Sequence, residues 1–406
     1  MKVVVSHPTG NTFVRALIEV LYREGRLSSY YTTFSWDSKK WINNILPANI
    51  KRELSRRSYE IPHSLIKTKP LLELFRLLSG RINRPSLNGG ASLNAVYQDL
   101  DKVTAKSIVK EDLTHIHCYE DGAKETFLVA KNKGVHCSYE LPIAYWRTLH
   151  QLLSEQSAKH PDWAPTLVYG NDTEEKLVRK DRELELADTI VVPSKFVKDS
   201  LPKTVEKFQH KVIVSPFGTP VLAEEFEKIE KPSSSPIRFL FAGSMGQRKG
   251  LADLFEAFNK LKRKDVSLIV LGSPMMPMDF YRKAYPDFIY EPPRPHQSVL
   301  KLMRTCHVLA LPSIVEGRAL VQQEAMSQGM ALMVTRNAGG EDLVLSGETG
   351  YLVPHSSPLA LIEVINKFAD HPKQTIEMGI AAKRHVQNYS WEEYGRRIVS
   401  SLETKI

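Results

Sequence analysis

Residues 307–326 read "HVLALPSIVEGRALVQQEAM". An apolar run closes on Pro312 and Ser313, Glu316 and Gly317 follow, and Glu324 stands eight positions after the first glutamate. The run "HVLALPS" has the length and composition of a buried strand, and "ALVQQEAMSQG" has the spacing of a helix. A buried strand feeding a helix is the unit of a parallel α/β sheet, in which helices cover both faces. Glu316 then falls at the carboxyl end of a strand, where open sheets of this kind bind ligands. Gly317 permits close backbone approach. The helix start directs free N–H groups at the same crevice. A lone carboxylate among such donors is a poor phosphate ligand and a good acceptor for sugar hydroxyls. Glu324, inside the helix, is placed to hydrogen-bond a ribose diol.

The same alternation runs outward in both directions. Downstream lie the strand "MALMVTR" (330–336) and the helix "SPLALIEVINKFADH" (357–371). Upstream, "IRFLFAGS" (237–244) reads as a strand, "LADLFEAFNKLKRK" (251–264) as a helix and "VSLIVLG" (266–272) as a strand. The proline-, glycine- and serine-rich span 211–236 reads as a linker. Before it, "MKVVVSHPTGNTFVRALIEVLYREG" (1–25) is strand, loop and helix, with Asn11 or Thr12 as cap. "THIHCY" (114–119) and "HCSYEL" (136–141) flank the helix "AKETFLVAKNKG", and "ADTIVVPSKFVKDSL" (187–201) is a strand followed by a helix capped at Ser194. The expectation is an α/β protein of two Rossmann-like domains, 1–215 and 216–389, with residues 390–406 as a terminal helix.

The 406-residue length suits two domains. Three cysteines, Cys118, Cys137 and Cys306, are too few and scattered for a disulfide framework or a zinc site, which points to a reducing, cytoplasmic compartment. The apolar run near the N-terminus is too short for a signal peptide, and no window is long enough to span a membrane. The net charge is +9. Residues 31–86 carry eleven Lys/Arg against four acids, interleaved with Trp36, Trp41, Leu71, Leu72, Leu74 and Phe75. That pattern suits an anionic membrane surface or an anionic acceptor, and equally a solvated basic face. No motif supports nucleic-acid binding.

Dinucleotide binding is disfavoured, because "SHPTGNTF" (6–13) offers one glycine, Gly10, where that fingerprint needs three. There is no Walker A sequence. Asp99-Leu100-Asp101 reads as a solvated helix face, and no metal is expected there. "FAGSMGQRKG" (241–250) is more informative: Gly243 ends a strand, and Arg248 and Lys249 stand at a glycine-rich turn into a helix. Backbone N–H groups, a helix dipole and two full charges suit a diphosphate.

Taken together, "LPS" followed by E-x7-E, the upstream "G…KG", and the downstream "GG" and "GETGYLVP" resemble the retaining nucleotide-sugar glycosyltransferases of family 4, of the GT-B fold. The resemblance covers most of the C-terminal half, from "SPFGTP" to "YSWEEYGRRI". It implies a hexosyltransferase-type enzyme moving a sugar from a UDP-, GDP- or dTDP-sugar to an acceptor hydroxyl on a glycan, a lipid-linked saccharide or a small molecule. It implies no cofactor and no metal, and a front-face mechanism. Position by position, Lys249 would hold the diphosphate, Glu316 the transferred sugar and Glu324 the ribose. Gly317, Ala319 and Leu320 would offer backbone N–H groups, with Gly10 and Asn11 facing the donor from the first domain. The nucleobase would sit near "YEPPRPHQ" (290–297). The last helix would cross back onto the first domain, anchored by Trp391. The enzyme would be cytoplasmic, with a peripheral place at the inner membrane face through segment 31–86.

Three departures stand out. Ser244 replaces the arginine usual after the strand glycine of Gly243, and Arg248 is a substitute for that charge. Arg318 and Ala319 stand where an aromatic residue and a glycine are common. The family's histidine facing the donor sugar is missing, leaving Glu140 or His117 as catalytic candidates, with Glu120 and Asp121 as groups near the acceptor hydroxyl. Two other classes remain open: a GT-B nucleotide-sugar epimerase or phosphorylase, and a non-catalytic nucleotide-sugar-binding protein.

Overall fold

The computed structural model describes residues 1–37, 51, 54, 57–81, 92–170, 172–202, 211–220 and 236–403. Much of the basic segment 31–86 and most of the proline- and serine-rich linker fall outside them.

Among the described residues the first domain has seven strands: β1 (Val3–Ser6), β2 (Leu27–Thr32), β3 (Ile66–Thr68), β4 (His115–Tyr119), β5 (His136–Glu140), β6 (Thr189–Val192) and β7 (Val212–Val214). All pair in parallel, in the order β3-β2-β1-β4-β5-β6-β7. The second domain has six: β8 (Ile237–Ala242), β9 (Val266–Leu271), β10 (Ile289–Glu291), β11 (Val308–Leu311), β12 (Ala331–Thr335) and β13 (Gly350–Val353). These are parallel too, in the order β10-β9-β8-β11-β12-β13. Every residue of β11 and β12 is buried, as expected of strands covered on both faces. Each sheet reverses its winding once, between β1 and β4 and between β8 and β11. The loops diverge there, and a crevice opens at the carboxyl ends.

The helix Lys195–Ser200 begins where the sequence places it, with Ser194 Oγ accepting from the Val197 N–H at 3.3 Å. Asn11 precedes the helix Thr12–Arg23 but makes no side-chain cap. Asp101 is a correction. It is 3% exposed rather than solvated, and it accepts from the N–H groups of Glu125 and Thr126, so it caps the helix Lys124–Asn132. No cluster able to hold a metal ion occurs among the described residues.

The terminal helix Trp391–Glu403 does return to the first domain. Tyr394, Ile398 and Leu402 enter the core of Val3, Val5, Leu17 and Leu21. Gly395 lies so close to the Thr12–Arg23 helix that a Cβ there would meet Val20 at 2.7 Å. Trp391 abuts Gly218 and packs on Phe217 with ring centroids 5.9 Å apart.

A second crossing was invisible in the sequence. The helix Trp146–Lys159 and the 3-10 turn Pro161–Thr166 lie in the first half of the chain. Yet Trp163 is part of the second domain's core, against Phe280, Tyr281 and Phe255 at 4.9, 5.7 and 6.0 Å between ring centroids. Gln247 of the second domain donates to Gln156 Oε1 at 2.8 Å, and its backbone N–H donates to Thr166 Oγ1 at 3.0 Å. Lys159 donates to buried Asp253 at 2.9 Å. Residues 156–166 therefore form a strap across the domain junction.

Candidate active site

The crevice between β8 and β11 gathers the residues singled out in the second domain. Past β8 the chain turns at Gly243, with φ +147°, where an added Cβ would stand 2.7 Å from Lys249 Cδ. Glycine is needed because the Lys249 side chain lies across it. Gly250, left-handed at φ +76°, sits against the Pro312 carbonyl and begins the helix Leu251–Lys260. These two positions lay the lysine along the end of β11.

Glu316 meets both bases. Lys249 Nζ donates to Oε1 at 2.7 Å, and Arg248 Nη1 stands 3.1 Å from Oε2. The Glu316 and Lys249 side chains are 12% and 13% exposed, so the pair is only partly screened by water. Backbone bonds fix the loop beneath. Ile314 N–H donates to Arg248 O at 2.9 Å and Glu316 N–H to Asn337 O at 3.0 Å, while Asn337 Nδ2 donates to Ile314 O at 2.8 Å. The Arg248 guanidinium thus stands beside the Glu316 carboxylate at this crevice. Ser244 is a half-buried turn residue whose carbonyl accepts from the Gly246 N–H.

The helix of the opening stretch, Val321–Ser327, starts two residues later than its sequence pattern suggests. Of the three N–H groups expected to face a ligand, Gly317 and Leu320 have no protein acceptor among the described residues. Ala319 is a correction: its N–H donates to Ala338 O at 3.1 Å and is not available. Arg318 turns inward, donating to Asp342 at 2.7 Å and to Gly339 O at 3.2 Å, and so pins the "GG" loop rather than lining the crevice. Glu324 is 17% exposed in its side chain and pairs with His296 Nε2 at 3.1 Å. His296 lies within the segment expected near the nucleobase, though the sequence reading assigned it no role.

The two domains touch at Gly317. Its Cα lies against the carbonyl of Pro142, and its own carbonyl accepts from Ser194 Oγ at 2.7 Å. Both partners follow strands of the first sheet, so the β8/β11 crevice faces the first domain directly.

The first-domain candidates divide. His117 and Glu140 are 0% and 1% exposed and do not line the cleft. His117 Nδ1 is 2.9 Å from Ser138 Oγ, and its Nε2 is 3.1 Å from Glu140 Oε2. Tyr394 of the terminal helix donates to Glu140 at 2.8 Å. This is a buried polar network that ties the returning helix to the sheet, and the catalytic reading of both residues is corrected accordingly. Gly10, at φ +53°, is packed against Tyr59, and its place is set by that contact. Asn11 is exposed.

The β1/β4 crevice contains a cavity of about 220 Å³ beside Pro142. His7, Tyr97, Tyr119, Glu120, Asp121 and Lys176 contribute to its wall. His7 directly follows β1, and the sequence reading passed it over. A polar residue just past a buried strand at a switch point was the available signal. Its ring stands edge-on to Tyr119, Tyr97 and Phe13 at 4.7, 5.9 and 6.0 Å. Burial, helped by the charge of Arg57, lowers its pKa to about 3, so the imidazole is neutral. Asp121 adopts φ +73°, held by Glu183, which accepts from its N–H at 2.9 Å. Burial pushes the Glu183 carboxyl up to about 8.

Residues 223–385 match the family model described as glycosyl transferases group 1. A D-inositol 3-phosphate glycosyltransferase of Streptomyces coelicolor is 35% identical over 103 residues, 25% of this chain and 22% of that protein. The chain spans 22%, 39% and 60% of the first three curated relatives of that name. Across its whole length it is similar in fold to the sucrose-phosphate synthase of Thermosynechococcus elongatus, with a TM-score of 0.64 and 18% identity over 100% of this chain and 98% of that one. Anabaena HepE in complex with UDP-glucose gives 0.60 and 14% identity over 100% of both chains. The fold is GT-B, as the sequence motifs implied.

Proposed function

We propose that the chain, whose residues 223–385 match the model of the group 1 glycosyl transferases, transfers a sugar from a nucleoside-diphosphate sugar to an acceptor hydroxyl. The observation that carries this is the Lys249–Glu316–Arg248 cluster at the second sheet's switch point, joined by Gly317 to the first domain. Two cations suit a departing diphosphate, and the carboxylate holds them in register while remaining an acceptor for sugar hydroxyls. Glu324 takes the ribose and His296 borders the base. The fold neighbour HepE, in complex with UDP-glucose, supports a uridine donor.

Transfer with retention fits a front-face course, in which the acceptor hydroxyl attacks on the side from which the diphosphate leaves and the diphosphate takes the proton. A carboxylate whose two oxygens each meet a cation is a weak nucleophile, which favours this course over a double displacement through Glu316. The bases and free N–H groups account for the leaving group's charge without a metal. The test incubates the protein with UDP-, GDP- and dTDP-sugars, following thermal shift and slow donor hydrolysis, with Glu316→Gln and Lys249→Ala as controls. One donor should stabilise the chain and be hydrolysed, both effects weakening in the variants. Indifference to every nucleotide sugar sinks the reading. Stabilisation without hydrolysis or transfer would favour the non-catalytic binding protein.

We also propose a peripheral place at an anionic membrane. No helix among the described residues is long and apolar enough to cross one. The helix Leu71–Arg81 supports the surface reading, because Leu71, Leu74 and Phe75 are 71%, 41% and 54% exposed while Glu73 on its inner side holds Arg57 and Arg76. Co-sedimentation with phosphatidylglycerol vesicles, and its loss in a Leu71→Asp/Phe75→Asp variant, checks this.

A further inference from the structure

The turn that carries Arg248 and Lys249 is backed by chain from the other domain. Gln247, the residue before them, is 0% exposed. Both hydrogens of its amide are engaged: Nε2 donates to Gln156 Oε1 at 2.8 Å and to Asp253 Oδ2 at 2.6 Å. Its Oε1 accepts from the Ala252 N–H at 2.9 Å, and its backbone N–H donates to Thr166 Oγ1 at 3.0 Å. Only an amide side chain matches that set, since a carboxylate lacks both donors. Two of these four partners, Gln156 and Thr166, belong to the strap.

The strap's side of the contact is equally fixed. Thr166 and Gln156 are 2% and 3% exposed. The Thr166 hydroxyl donates to the Trp163 carbonyl at 2.7 Å and accepts from Gln247, and Trp163 is seated in the second core. Gln156 Nε2 donates to Ser356 Oγ at 2.7 Å. Gly246 comes so near that an added Cβ would stand 3.1 Å from the Thr166 carbonyl oxygen.

From Gln247 the linkage runs into the crevice. The Gly250 N–H donates to the Gln247 carbonyl at 2.8 Å and closes the single 3-10 turn Gln247–Lys249. The Arg248 carbonyl accepts from the Ile314 N–H, and the side chains of Arg248 and Lys249 meet Glu316. A single 3-10 turn has weak hydrogen-bond geometry of its own and depends on what packs against it. A shift of Gln247 therefore moves both bases together relative to Glu316.

We propose that Gln247 is a positioning residue for the donor diphosphate, and that the strap, through Gln156 and Thr166, sets the geometry in which Arg248 and Lys249 meet it. The inference rests on the reading of the chain as a transferase. Neither Gln247 nor the strap touches substrate. The donor site of the second sheet is nevertheless incomplete without residues 156–166 of the first half. Strap docking and donor binding are then linked, so whatever loosens one weakens the other.

The test reads UDP affinity by calorimetry and amide exchange by mass spectrometry on the full chain. Thr166→Val removes the acceptor for the Gln247 N–H. UDP should then bind about fivefold more weakly, the scale of one hydrogen bond, and Thr166→Ser should restore it. Should Thr166→Val misfold, Gln156→Met, which removes an acceptor of Gln247 Nε2, should show the same loss. Tyr394→Phe is the control: it lowers Tm from another core and should leave UDP affinity within about twofold. Without ligand, Thr166→Val should speed exchange at Ile314, which is bonded to the Arg248 carbonyl, and not in β12. Unchanged affinity in both strap variants, a loss that Thr166→Ser fails to restore, or an equal loss in Tyr394→Phe overturns the proposal. An unmodified chain that binds none of UDP, GDP and dTDP counts against the transferase reading instead, and exchange at Ile314 then decides the positioning by itself.

Discussion

Two switch points face each other across one cleft, and they are made of different materials. The β8/β11 crevice is built of full charges laid over glycine: Lys249 across Gly243, Gly250 under Pro312, and Glu316 between two bases. The β1/β4 crevice is built of aromatic rings around a neutral histidine, with its carboxylates already paired. The first arrangement suits a ligand whose charge grows as a bond breaks. The second keeps its one imidazole uncharged among aromatic faces. The same sheet topology serves both, so chemistry is decided by the few residues after each strand and not by the fold.

The sharpest way to break this contrast is to neutralise one carboxylate on each side. Glu316→Gln should lower turnover by about a hundredfold or more, the scale seen when a preorganised charge is removed from an active site. Glu140→Gln, in the buried network, should change turnover by less than about threefold while lowering Tm. Equal kinetic losses would restore Glu140 to the catalytic role the sequence suggested. Next in size is Trp163→Ala, which empties an aromatic slot in the second domain and should cost about 3–5 kcal/mol in chemical denaturation. Tyr394→Phe leaves Glu140 short of a donor and should cost about 1–3 kcal/mol, with donor KM unchanged.

The smallest effect concerns pH. Burial alone raises the Asp253 carboxyl, but the hydrogen bonds from His160, Lys159 and Gln247 outweigh it and hold the group below its ordinary value. A depressed carboxylate contributes stability above its unfolded pKa and loses it as pH falls through the folded one. Asp253→Asn should therefore lower Tm near neutrality, and the gap to the unmodified chain should begin to close only as pH falls below about 4. An equal Tm gap at both pH values would show that the strap does not rest on that charge.

Legibility followed the same divide. Short apolar runs such as Val3–Val5 and Val308–Leu311 announced both sheets, and glycines with lysine and glutamate nearby announced the β8/β11 crevice, because close backbone approach leaves few residue choices. Ala319 looked like an available N–H because nothing in the sequence shows that Ala338 lies opposite. His117 and Glu140 looked functional because a buried polar pair and a catalytic one are spelled alike. Their tertiary partner, Tyr394, is far along the chain. His7 was missed for the opposite reason: one histidine in a loop carries no pattern, and its place is set only once the N–H groups of Thr9 and Gly10 have folded back on its Nδ1.

The strap of residues 156–166 bears on how such a protein can be taken apart or put together. With Trp163 inserted in the far core, the second half of the chain is an incomplete hydrophobic unit whose missing piece is translated before it. A ribosome therefore releases the plug first and the socket afterwards. Dividing the gene at the linker would give two fragments, one with an exposed indole and the other with an open apolar slot. Such halves are expected to be insoluble apart and to complement one another when expressed together.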